Sequence, residues 1–97
     1  MVSAVYLFHE LPPKTRLDVA REMARVKKPG GLVVIVDSLQ TGDQKAFDGL
    51  LEQFPSAFHE PYFASWTALD PKDSFGRVGL ELCETRLAYL SKVLVFR

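Results

Sequence analysis

The chain has 97 residues and a mass of 10.9 kDa, enough for one small domain and too few for a multidomain enzyme. Hydrophobic residues make up 47% and charged residues 25%, an ordinary globular balance that excludes wholesale disorder. Twelve basic side chains cancel twelve acidic ones, so the charge that would draw nucleic acid or an anionic membrane is absent.

The single cysteine, Cys83, leaves no internal disulfide and no thiol cluster for zinc. The apolar run Leu32–Val36 falls far short of the ~20 residues that span a bilayer. Met1-Val2-Ser3-Ala4 has no basic n-region of a signal peptide, and a cytoplasmic location is expected.

Val2-Ser3-Ala4-Val5-Tyr6-Leu7-Phe8 is nearly continuous in apolar and β-favouring residues, which predicts a strand over 2–8 buried on both faces. Pro12-Pro13 stops it and suits the first turn of a helix, where a missing N–H costs little. Leu17, Ala20 and Ala24 recur at helical spacing, with Val19, Met23 and Val26 widening the stripe, while Arg16, Arg21 and Arg25 point largely elsewhere. This helix is locally basic, which cations near a helix C-terminus explain without nucleic acid. Pro29-Gly30-Gly31 turns the chain into a second strand, Leu32–Val36, closing on Asp37-Ser38. Strand, helix, glycine turn and strand make a βαβ unit.

Thr41-Gly42-Asp43-Gln44 has the spacing of a capping box, with Thr41 at the N-cap of a helix carrying Ala46, Phe47, Leu50, Leu51 and Phe54 on one face. From Pro55 to Asp73, aromatic residues broken by prolines predict a loop with short helical turns. A brief helix over 72–78 ends at Gly79, and residues 80–87 and 90–96 read as two strands joined tightly enough to pair antiparallel.

Tyr6-Leu7-Phe8-His9-Glu10-Leu11-Pro12, the helix end Arg25-Val26-Lys27-Lys28-Pro29-Gly30-Gly31 and the strand Leu32–Asp37 together resemble class I S-adenosylmethionine-dependent methyltransferases. They are similar to that family's fourth strand, following helix and fifth strand, and residues 78–96 to its closing strand pair. The resemblance implies the C-terminal half of an α/β, Rossmann-like methyltransferase fold. Its mixed sheet would have about four strands, in chain order first, second, fourth, third, with only the last strand antiparallel. Residues 1–97 would form one domain, with 39–73 supplying a helix and an aromatic, lid-like segment.

The family's glycine-rich cofactor loop after its first strand, and the acidic residue that grips the ribose, have no counterpart. Gly30-Gly31 ends a helix before a strand, the reverse of the binding arrangement. The expected activity is methyl transfer from S-adenosylmethionine to a small-molecule acceptor in a complete enzyme. This chain alone is expected to be inactive and to bind the cofactor weakly or not at all.

By resemblance, Leu7, Phe8 and His9 would line the cofactor's methionine end, and His9 is the candidate catalytic residue. Histidine is the side chain whose ordinary titration range suits a general base near neutrality. His59, Tyr62, Phe63 and Trp66 are the candidate acceptor contacts, because aromatic surfaces stack flat or apolar groups and exclude water. Asp37 is read as a turn-forming residue or a substrate contact, and Ser38 and Cys83 as structural. No metal site is expected, since His9-Glu10 and His59-Glu60 match no helical ligand spacing. The alternative to an enzyme part is a non-catalytic dimerisation or protein-binding module. In either case the apolar strand over 2–8 would be an exposed edge that recruits a second copy into a homodimer.

Overall fold

The computed structural model describes residues 1–58 and 60–97, the side chains of 54–58 excepted. Strand β1 (Val2–Val5) leads through a 3-10 turn at Phe8–Glu10 into helix α1 (Pro13–Val26), and strand β2 (Val33–Ser38) follows. A second 3-10 turn, Lys45–Phe47, precedes helix α2 (Asp48–Phe58) and the short helices α3 (Phe63–Thr67) and α4 (Pro71–Gly76). The chain closes with β3 (Leu82–Ala88) and β4 (Ser91–Phe96).

The four strands form one mixed sheet in the order β1-β2-β4-β3, as expected. β1 runs parallel to β2 with Val2 opposite Val33 and Val5 opposite Val36. β4 runs antiparallel to both β2 and β3, and the β3–β4 register shifts between Leu82 and Glu84.

Alternation along the strands separates two faces. Val33, Ile35, Leu94 and Phe96 are buried and form one core with Ala20 and Met23 of α1, Trp66 of α3 and Phe75 of α4. The helices supplying this core therefore lie on one face of the sheet. On the other face Val34, Val36, Val93 and Val95 are half-buried and Val5 is 62% exposed. Burial of β1 on both faces does not occur, because among the described residues no helix of the core packs on its Ser3 and Val5 side.

β1 is also shorter than the apolar run predicts. Tyr6 adopts φ 52°, a left-handed conformation that leaves the extended path, just after its N–H donates to the Val36 carbonyl. Phe8 then turns inward and is completely buried among the core aromatics, edge-on to Phe75 at 5.4 Å between ring centroids.

The capping box at Thr41 does not form. The Thr41 N–H donates instead to the Thr67 carbonyl, Gln44 is extended, and α2 starts at Asp48. Asp43 is engaged elsewhere: its Oδ2 accepts from the Gln40 N–H and its Oδ1 from Lys92 Nζ. α2 also continues through Pro55 to Phe58, where the sequence suggested a loop. The turn between α1 and β2 follows the Pro-Gly-Gly signal, with Gly30 at φ 76°.

Candidate active site

The parallel pairing of β1 and β2 brings the residues beyond Val5 and Val36 together at one edge of the sheet. His9 arrives there from the 3-10 turn and Asp37 from the penultimate position of β2. His9 is 7% exposed, and its Nδ1 lies 2.7 Å from Oδ1 of the fully buried Asp37. The Asp37 carboxylate also accepts from the Ser38 N–H at 2.8 Å and from the His9 N–H at 3.3 Å. A carboxylate only accepts, so the bond places a proton on Nδ1; in the neutral imidazole the lone pair is then on Nε2, which lies 3.8 Å from Glu10 Oε1. That is the tautomer of a general base oriented by a third group. Two aromatic rings pack nearly perpendicular to the imidazole, Tyr6 at 6.2 Å and Phe63 at 5.6 Å between centroids.

Arg16 stabilises this corner from beneath. Its helical position reads as solvent-facing, yet it is 3% exposed. Nε donates to the Phe8 carbonyl at 2.8 Å, Nη1 to Ser65 Oγ at 2.9 Å and Nη2 to the Tyr62 carbonyl. One guanidinium thus ties the turn that carries His9 to the segment that carries Phe63. Burial pulls Arg16 below its ordinary pKa, and the negative Asp37 opposes that pull. The group remains a cation in any physiological range.

A second polar cluster lies across the sheet, where Lys92 pairs in register with Asp37. Lys92 Nζ donates to Gln40 Oε1 at 3.0 Å and to Asp43 Oδ1 at 2.9 Å. Gln40 Nε2 in turn donates to the carbonyls of Trp66 and Leu69, fastening the chain after β2 to α3. These contacts satisfy the buried cation without leaving a group open. The cation surplus of α1 is likewise partly internal, since Arg21 pairs with Asp18 and Arg25 with Glu22.

The remaining predicted site residues are dispersed. Leu7 is partly exposed beside His9, but the Phe8 side chain is in the core and its carbonyl is occupied by Arg16. Tyr62 is partly exposed, and Phe63 is buried with Leu39 and Leu51, its ring nearly perpendicular to that of His9. Trp66 is completely enclosed, with its indole N–H donated to the Ser38 carbonyl at 3.1 Å, so it is a core residue and offers no contact surface. His59 lies outside the described residues. Ser38 Oγ donates to the Leu39 carbonyl, and Cys83 is an exposed free thiol at the β3 irregularity.

A cavity of about 180 Å³ between α1 and α4 is lined by Arg16, Leu17 and Phe75, and an open groove of about 450 Å³ runs beside Gln40 and Lys92. Neither is lined by His9, so they are separate from the His9–Asp37 pair.

Sequence reading missed Asp37 as the partner of His9, along with Arg16, Gln40 and Lys92. A signal for the first existed. Two parallel strands in a βαβ unit bring their carboxyl ends together, and His9 and Asp37 each follow one of them.

No protein-family model matches the chain, and no curated protein does. Nine chains among solved structures match, including the crystal structure of TnmH. That likeness has a TM-score of 0.78 and 21% identity over 98% of this chain. The chain spans 29% of the length of TnmH. What the two share is a fold: a small α/β arrangement with a four-stranded mixed sheet. No helix among the described residues is long and apolar enough to cross a membrane.

Proposed function

We propose that this chain is the acceptor-side portion of a Rossmann-like, S-adenosylmethionine-dependent methyltransferase acting on a small molecule. His9 is the proton acceptor and Asp37 its positioning residue. The reading is carried by the His9–Asp37 bond of 2.7 Å at the carboxyl ends of two adjacent parallel strands, where open α/β sheets take ligands. An acceptor methylated on oxygen or nitrogen loses a proton as the new bond forms, and in this reading His9 Nε2 receives it. Asp37 then stabilises the imidazolium across its short bond. The resemblance of residues 6–12 and 25–37 to the family supports the same reading.

S-adenosylmethionine supplies the methyl group in that family, and the residues here do not by themselves make its site. Leu7 alone of the expected lining residues has an exposed side chain, and the paired glycines precede β2, at the opposite end of the strand from Asp37. Of the expected acceptor contacts among the described residues, Tyr62 keeps a partly exposed ring, whereas Phe63 is buried against His9.

Calorimetry with S-adenosylmethionine and S-adenosylhomocysteine tests this on the chain and on the product of its reading frame extended upstream. The chain should bind more weakly than about 10 μM, roughly 7 kcal/mol, and transfer no methyl group. The extended product should bind and transfer, and His9→Ala should lower its kcat by about 100-fold or more. An extended frame that encodes no glycine-rich loop and binds neither ligand would sink the reading.

A second reading, a dimerisation or protein-binding module, is favoured by the half-buried valine face and by β1, which among the described residues has a strand neighbour on one side only. Two copies pairing β1 antiparallel would make a continuous eight-stranded sheet. Light scattering showing a monomer at micromolar concentration would count against it.

A further inference from the structure

Two glutamate carboxylates lie near the His9 ring. Nε2 lies 3.8 Å from Glu10 Oε1, and ligand atoms of His9, Glu10 and Glu60 all lie within 4.8 Å of one another. Glu10 follows His9 in the turn after β1, whereas Glu60 comes from the segment that leads into α3. The fold, not the local sequence, assembles the three.

We infer that His9 Nε2, Glu10 and Glu60 form a binding site for one divalent transition-metal ion, with zinc the best match. One imidazole nitrogen and two carboxylate oxygens are a borderline donor set that suits zinc, whereas magnesium prefers oxygen ligands alone. The outer partner of such a site is already in place. Metal-bound histidines commonly donate their other ring N–H to a carboxylate, and His9 Nδ1 does so to the fully buried Asp37. His9 is therefore held in the ligating tautomer and has little rotamer freedom left to lose.

The two glutamates are the adjustable part. Oxygens bound to one zinc ion at ~2.1 Å lie about 3.4 Å apart in tetrahedral geometry, so the group closes by a rotamer change of modest size. Glu10 is free to make it, since its side chain is 57% exposed. Among the described residues neither glutamate has a lysine or arginine partner, so a bound cation would relieve two facing negative charges.

An ion on Nε2 occupies the lone pair that a proton acceptor needs, so metal binding and methyl transfer exclude each other. The binding itself does not depend on the methyltransferase reading.

Zinc chloride titrated calorimetrically into the 97-residue chain at near-neutral pH, with magnesium chloride in parallel, tests the site. One zinc ion per chain should bind with a Kd of about 10 μM or tighter, and magnesium should not saturate. Glu10→Gln and Glu60→Gln should each weaken zinc about 10-fold while circular dichroism stays unchanged. Asp37→Asn should weaken it about 10- to 100-fold, and His59→Gln should leave it as in the parent chain. Absence of saturable zinc binding, binding indifferent to both glutamate variants, loss in His59→Gln, or equal affinity for magnesium would each overturn the inference.

Discussion

Replacing Trp66 with alanine separates a core role from an acceptor-contact role. A buried tryptophan removes about 150–250 Å² from water, which at ~25 cal/mol per Å² corresponds to about 4–6 kcal/mol. Alanine retains part of that area, and measured truncations of buried aromatics to alanine cost about 3–5 kcal/mol. The substitution also leaves the Ser38 carbonyl without its indole donor and takes a ring from beside Phe8, 6.4 Å away between centroids. Against a total of about 5–15 kcal/mol for a domain of this size, the loss reaches a large fraction of the stability. Urea denaturation followed by far-ultraviolet circular dichroism should show the loss directly, and a thermal melt should show a fall in Tm of about 15 °C or more. Emission of the single tryptophan in the parent chain should be blue-shifted and should move to the red in the same transition. Trp66→Phe, which loses the hydrogen bond and little volume, should cost about 1–2 kcal/mol. Tyr62→Ala should stay within about 1 kcal/mol, because its ring is already partly in solvent. A Trp66→Ala chain within 1 kcal/mol of the parent at unchanged urea slope would refute the core assignment and return Trp66 to the acceptor face.

Arg16→Met removes three hydrogen bonds from a buried cation, although the Phe8 carbonyl keeps the Leu11 N–H and the Tyr62 carbonyl keeps the Ser65 hydroxyl and the Trp66 N–H, so a loss of about 3 kcal/mol is expected in the same urea assay. A loss under about 1 kcal/mol would show that water replaces the guanidinium freely. Gly31→Ala would place a Cβ 2.9 Å from the Lys28 carbonyl oxygen, and the turn must shift at a cost of about 1–3 kcal/mol; an unchanged Tm would contradict that backbone contact. Glu22 is held below the usual carboxylate range first by its hydrogen bond from Arg25 and then by the nearby charge. Its folded pKa is depressed, so its contribution is present at neutral pH and disappears as pH falls through that value. The Tm difference between the parent and Glu22→Gln should therefore shrink on acidification, and a difference that grows would reverse the sign.

Local chemistry was sufficient for most elements. Pro12-Pro13 opens α1, the Pro29-Gly30-Gly31 turn separates it from β2, and the apolar runs mark the strands, because steric and hydrogen-bonding preferences at these positions act over a few residues. The strand order came from family resemblance, not from periodicity, and the observed order agrees with it. His9 was legible as a strand-end histidine for the same reason. Tertiary structure decided the rest. Tyr6 leaves the extended path at φ 52° even though its side chain favours strands, and Thr41 gives its N–H to Thr67 instead of starting a helix. Arg16 lies on the polar side of its helix by composition, but acceptors at Phe8, Tyr62 and Ser65 make its burial tolerable. Trp66 goes inside because Ser38 accepts its N–H, and Asp37 is buried because two backbone N–H groups and the His9 ring meet its oxygens. Buried polar groups need partners, and partners distant in sequence leave no periodic trace. A helical or strand repeat records which face is apolar on average; the positions of the polar exceptions, and with them the His9–Asp37 pair, exist only once the chain has closed on itself.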